Sequence, residues 1–236
     1  MVISDTQTLV NRLAELASPE IANTSQRFFK TQKGQYGEGD HFYGIRTATL
    51  RAVAKQCKSM TIPKVFELLN HEYHETRMVA VFILVERYQK SKIDTDKQTI
   101  ADLYIQHSQK VNNWDLVDSS AYKILGPQLH GKDTAVLYEL AQSCNLWQRR
   151  IAIITTLYFI KQDDYADTLA LAEILLHDKE DLMHKAVGWM LREIGNRNKS
   201  LEVAFLDKYH KTMPRTMLRY AIEKFTPQER QHYMKK

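Results

Sequence analysis

Four times along this chain a basic residue stands just ahead of an alanine that opens an apolar run: Arg77-Met78-Val79-Ala80, Arg149-Arg150-Ile151-Ala152, His184-Lys185-Ala186 and Leu218-Arg219-Tyr220-Ala221. Ala80 and Ala152 lie 72 residues apart, two periods of about 36; Ala152 to Ala186 is 34 and Ala186 to Ala221 is 35. A period of this length holds one pair of helices that cannot bury its apolar face alone and must stack on the next pair. The small alanine lets neighbouring helices approach. With only eight glycines and five prolines in 236 residues, long 3.6-period segments run unbroken, the pattern of an all-α protein. The expectation is one domain over residues 1–236, an α-solenoid of HEAT-like helical repeats wound into a superhelix. The second helix of each pair would line its concave side. A basic residue near a helix start opposes the helix dipole, so its recurrence points to an anionic partner.

The periodicity predicts helices over 4–17, with Leu9, Leu13 and Leu16 on one face, from Pro19 to about Lys30, and over 46–58, 63–70, 74–90 and 93–110. Beyond a central helix come 132–143, 147–161, 165–177, 181–195, 199–211, 214–224 and a last turn at 228–234. No run reaches the length of a membrane span. The first residues, Met1-Val2-Ile3-Ser4-Asp5, lack a basic stretch followed by an apolar one. Cys57 and Cys144 stand alone without ligand spacing, as reduced thiols do. A cytoplasmic protein is expected, and the net charge of +5 is compatible with nucleic acid. Half of the glycines fall in Gly34-Gln35-Tyr36-Gly37-Glu38-Gly39-Asp40-His41-Phe42-Tyr43-Gly44. This is not a phosphate loop, since no Lys-Ser/Thr follows and it carries Glu38 and Asp40; it reads as a structured turn between helices. His71-Glu72-Tyr73-His74 lacks the spacing of a zinc motif. No metal or cofactor is expected.

The chemistry concentrates in Val111-Asn112-Asn113-Trp114-Asp115-Leu116-Val117-Asp118-Ser119-Ser120-Ala121. Asn112 or Asn113 caps a helix there. Trp114 and Asp118 are four apart and share a face, while Leu116, Val117 and Ala121 pack it down. An indole face attracts cations and a carboxylate supplies a full negative charge, so the pair suits a positively charged ligand or transition state. Asp115 reads as a first-turn acid favouring the helix N-terminus. Lys185 and Trp189 share a second face, with Gly188 marking a close backbone approach. Trp147 reads as an anchor at a helix start.

Taken together, several stretches resemble the AlkD-type family of DNA alkylation repair glycosylases. They are Tyr36-Gly37-Glu38-Gly39-Asp40 with Gly44-Ile45-Arg46, Val111 to Asp118, Arg149 to Ile153, Lys185 to Glu193 and Met213 to Ile222. The resemblance implies a solenoid whose concave face cradles duplex DNA carrying alkylated bases, a monomer acting on the bacterial nucleoid. It places the catalytic carboxylate on Asp118 and its aromatic partners on Trp114 and Trp189. The concave-face arginine falls on Arg150, with Arg149 the adjacent choice; Lys185, Arg192, Arg219 and Arg46 complete the implied DNA-binding set. The implied reaction is hydrolysis of the N-glycosidic bond of cationic purines such as N3-methyladenine and N7-methylguanine, without a base-flipping pocket. Some relatives lack the catalytic pair and bind DNA without excision; this sequence keeps it. A non-catalytic DNA-structure binder and a HEAT-type protein-interaction module are the alternatives.

Overall fold

In the computed structural model, which describes residues 2–235, the first helix, α1 (Thr6–Glu15), begins where Asp5 accepts the Thr8 amide at 2.9 Å and buries Leu9 and Leu13. Its cap satisfies one of the donors that a helix start leaves open. α2 (Pro19–Phe28) takes Pro19 at its first position, where no amide bond is lost. α3 (Thr47–Gln56), α4 (Ile62–Leu68), α5 (His74–Lys90) and α6 (Asp94–Gln106) follow, then a 3₁₀ turn over Ser108–Lys110. α5 is buried on nearly every side from His74 to Val85, as a helix at the centre of a bundle must be. It packs against α1, α3, α4 and α6.

The chain divides into two compact units, Met1–Ser120 and Ala121–Lys236, with the boundary inside α7 (Trp114–Leu129). The second unit contains α8 (Ala135–Ala141), α9 (Leu146–Thr155), α10 (Leu157–Lys161), α11 (Ala166–Ile174), α12 (Asp181–Gly195), α13 (Lys199–Tyr209), α14 (Arg215–Ala221) and α15 (Pro227–Met234). α12 is its hub, in contact with α9, α11, α13 and α14. Asn145 caps α9 by accepting the Trp147 and Gln148 amides. Thr226 and Glu229 form a reciprocal capping box at α15.

All four repeat alanines, Ala80, Ala152, Ala186 and Ala221, are buried in α5, α9, α12 and α14. Gly188 makes the close approach expected of it: a Cβ there would lie 2.4 Å from the Met217 carbonyl oxygen, so α12 and α14 meet backbone to backbone. The predicted helix over 147–161 is split between α9 and α10. Thr155 and Thr156 turn their hydroxyls back onto the Ile151 and Ile153 carbonyls, each at 2.7 Å, a bonding mode that bends helices. The predicted helices 93–110 and 214–224 each finish as a 3₁₀ turn. Among the described residues the only extended pairing is a bridge between His41 and Tyr73. No helix among them is long and apolar enough to cross a membrane.

Candidate functional site

The site in the first unit is assembled from the end of α2, the glycine-rich loop, the start of α5 and the start of α7. Phe28 and Phe29 close α2. Successive residues on a helix point about 100° apart, so both rings cannot enter the core. Phe29 turns inward, against Phe42 (5.1 Å between centroids), His74 (4.9 Å) and Trp114 (5.5 Å). Phe28 remains 63% exposed, its ring edge-on to Trp114 at 5.9 Å. A large exposed aromatic next to Trp114 is not among the residues the sequence singles out. Two consecutive phenylalanines at a helix end were the available signal.

The loop ends in two carboxylate anchors. Glu75, in the first turn of α5, accepts the amides of Tyr43, Gly44 and Ile45 at 3.0, 2.8 and 3.2 Å. Gly44 takes φ +82° there, and a Cβ would meet the Ser18 carbonyl oxygen at 2.2 Å, so no other residue fits. Asp40 is buried and accepts from Arg77 Nη2 at 2.6 Å and from Asn113 Nδ2 at 3.1 Å. Arg77 also donates to the His71 and Glu72 carbonyls. Arg77 is therefore internal and carries the loop; it departs from the expectation that the repeated basic residues await an anionic partner.

Asn113 stands immediately before α7 and accepts the Trp114 amide at 2.8 Å through its side-chain oxygen. Leu116, Val117 and Ala121 are fully buried beneath the helix, while Trp114 and Asp118 stay partly exposed. The Asp118 charge is felt by Tyr104, whose hydroxyl meets Ser120 Oγ at 2.7 Å. Burial pushes the Tyr104 phenol upward and the Asp118 charge adds to the shift. Asp115 is more than a first-turn acid: its Oδ2 lies 2.9 Å from His74 Nε2. His74 Nδ1 is 3.6 Å from Asp40. Burial alone would lower the His74 pKa, but Asp115 and Asp40 overcome it and raise it to about 9. Burial would raise the Asp40 carboxyl, and the nearby His74 with the charge of Arg77 holds it below the ordinary range instead.

The second unit carries the remaining sequence-predicted residues apart from Arg46. On α12, Trp189 donates its indole N–H to Glu193 at 2.9 Å, Lys185 pairs with Asp181 at 2.8 Å, and Arg192 pairs with Glu223. Arg149 is committed to Asp178 through Nε at 2.6 Å and Nη2 at 3.3 Å, and to the Ser143 and Cys144 carbonyls through Nη1. Arg150 is only 5% exposed and donates to the Leu182 carbonyl at 2.7 Å. Arg219 on α14 is exposed, as is Arg46 at the start of α3 in the first unit. Trp147 is a buried helix-start anchor, its amide held by Asn145.

A family model described as DNA alkylation repair enzyme matches residues 9–225. No curated protein matches the chain. Among solved structures, a predicted DNA alkylation repair enzyme from Enterococcus faecalis superposes with a TM-score of 0.69 at 18% identity. That match covers 89% of this chain and 97% of the other. AlkD2 from Streptococcus mutans gives a TM-score of 0.55 at 16% identity, covering 94% and 98%. The protein smu.31 from Streptococcus mutans UA159 gives 0.54 at 16% identity, covering 91% and 94%. At these identities the likeness is one of fold, an all-helical repeat architecture.

Proposed function

This chain belongs to the DNA alkylation repair enzyme family, and from that premise we propose that it is a glycosylase hydrolysing the N-glycosidic bond of cationic alkylated purines in duplex DNA. The observation that carries the reading is the first turn of α7, where Asp118 stands one turn beyond a partly exposed Trp114 braced by Phe29 and Phe28. An alkylated purine already bears positive charge, so it departs without a general acid. Positive charge then grows on the deoxyribose. Asp118 stabilises that charge and orients or deprotonates the attacking water. Trp114 offers a π face to the developing cation, and the family resemblance makes Trp189 the candidate for a second aromatic. The basic residues hold phosphates and set register without reading sequence.

The bonding of each arginine ranks it for that task. A phosphate at Arg149 must displace Asp178, and Arg150 is nearly enclosed. Arg46 and Arg219 meet a phosphate from an exposed position, and Lys185 is half-exposed. The deciding assay measures release of N7-methylguanine from methylated duplex DNA beside a salt titration of binding. Wild-type protein releases the base and binds with a steep salt slope. Lys185→Ala and Arg219→Ala each flatten that slope by about one unit per lost phosphate contact. Steep binding without release leaves a DNA-structure binder, and salt-insensitive binding leaves a protein-interaction module.

Phe28→Ala tests the aromatic edge. Its ring is mostly in water, so little burial is lost and the melting temperature holds. Excision slows by about three- to tenfold if the ring braces Trp114, the size of one aromatic pair. A wild-type rate removes Phe28 from the site.

A further inference from the structure

Three segments far apart in sequence meet at one buried group of charges: Asp40 from the loop, His74 and Arg77 from the start of α5, and Asp115 with Asn113 from the start of α7. With Arg77 and a protonated His74 the group holds two cations and two anions. With a neutral His74 it holds an uncompensated negative charge away from water, which is costly. A cation at the first position of α5 also opposes that helix's dipole, so the charge on His74 depends on the acids around it. The charged groups facing His74 are Asp40 from the loop, Arg77 from its own helix and Asp115 from α7.

The same imidazole is part of an aromatic cluster with Phe29 and Phe42. It lies 4.9 Å from Phe42 and 4.9 Å from Phe29, tilted by 25° and 34°, and Phe29 stacks on Trp114 at 26°. Phe29 and Phe42 also stack on each other at 5.1 Å, and a protonated imidazole against this pair is attracted to both rings. His74 thus reaches the α7 site by two routes: an ion pair to the residue after Trp114, and a stack through Phe29 onto the Trp114 ring.

We infer that His74, as a buried imidazolium clamped between Asp40 and Asp115, is a positioning residue that fixes the first turn of α7 and the orientation of the Trp114 ring. The rate effect rests on the glycosylase reading; the orientation does not. A residue that only stabilised the fold would leave Trp114 and the rate unchanged in a variant that still folds.

The test uses the full chain with Trp114 followed by its indole N–H resonance, assigned by its loss in Trp114→Phe. In wild-type protein that resonance shifts with pH at a midpoint well above that of an ordinary histidine. His74→Gln keeps a hydrogen-bonding side chain without the charge, and the shift disappears. Asp115→Asn, at a position whose side chain is 18% exposed and so better tolerated, moves the midpoint to lower pH. Both variants slow single-turnover excision about tenfold, the scale of a small misplacement of a catalytic group, at unchanged affinity for unmodified duplex. The double variant is no slower than the worse single one, because both break the same clamp. A pH-independent Trp114 resonance in wild-type protein overturns the inference. So do wild-type rates in the two variants with cooperative melting retained. If wild-type protein releases no base, the glycosylase reading fails by itself, and the indole titration in Asp115→Asn alone decides the positioning role.

Discussion

Asp118→Asn lowers the single-turnover rate of alkylpurine release about a hundredfold and leaves affinity for undamaged duplex unchanged or slightly higher. The substitution keeps size and shape and removes one charge. If Asp118 stabilises the sugar cation, the interaction exists in the transition state and hardly at all before it, so the loss falls on the rate. Removing one preorganised electrostatic partner costs on the order of 3 kcal/mol, which is that hundredfold. Affinity holds or rises because a carboxylate near phosphates repels them. The fold is retained, since Leu116, Val117 and Ala121 seat the helix and Asp118 is partly exposed. Asp115→Asn makes a useful contrast, although not the inert one its first-turn position implies. Its carboxylate holds His74, so it slows excision through placement, by less than the loss of Asp118. A normal rate in Asp118→Asn with a dead Asp115→Asn would move the catalytic role one turn back. Equal activity in both would leave α7 without a catalytic carboxylate.

The longest helices were legible because they stay amphipathic or apolar over several turns, and α5 and α12 run over the residues the 3.6 period assigns them. The buried alanines followed from their period. The break between α9 and α10 was not foreseen, because a run of apolar residues hides what two threonine hydroxyls do to the backbone. In the site, Trp114 and Asp118 could be paired from a spacing of four along one helix. The group around His74 could not. Asp40 lies 37 residues from Arg77 and 73 from Asn113, and no local period records contacts of that span. By sequence, His71-Glu72-Tyr73-His74 only superficially resembles a metal pattern, and Arg77 is one of a series of repeated cations. In the fold, His74 and Arg77 both turn to Asp40. Asp40 itself looked like a loop residue whose charge merely argued against phosphate. With Glu75 it is one of two anions that tie that loop to the helix bundle.

Asp40→Asn is therefore the substitution with the largest expected effect on stability. Arg77 and His74 would keep their burial and lose an anion they share, and breaking a buried pair costs about 3 to 5 kcal/mol. That is a large part of the stability of an ordinary domain, so the denaturation midpoint falls steeply while the slope of the transition is kept. The pH dependence separates this cause from a packing defect. His74 in the folded protein titrates at about 9 against an ordinary 6.5. Its stabilisation is fully present below pH 6.5 and is lost as pH rises through 9. For wild-type protein the loss across that window is roughly 3 kcal/mol. Asp40 is shifted the other way; its stabilisation is present above the ordinary carboxylate range and lost as pH falls. In Asp40→Asn the acid loss from this group vanishes. With Asp115 as its one remaining acid, His74 titrates closer to 6.5, so the alkaline loss is smaller and complete at lower pH. Denaturant titrations of both proteins at pH 5, 6.5, 8 and 9.5 give the comparison. A wild-type stability that stays level from pH 6.5 to 9.5 would mean that His74 is neutral in the fold, and that Asp40 is held by Arg77 and Asn113 alone.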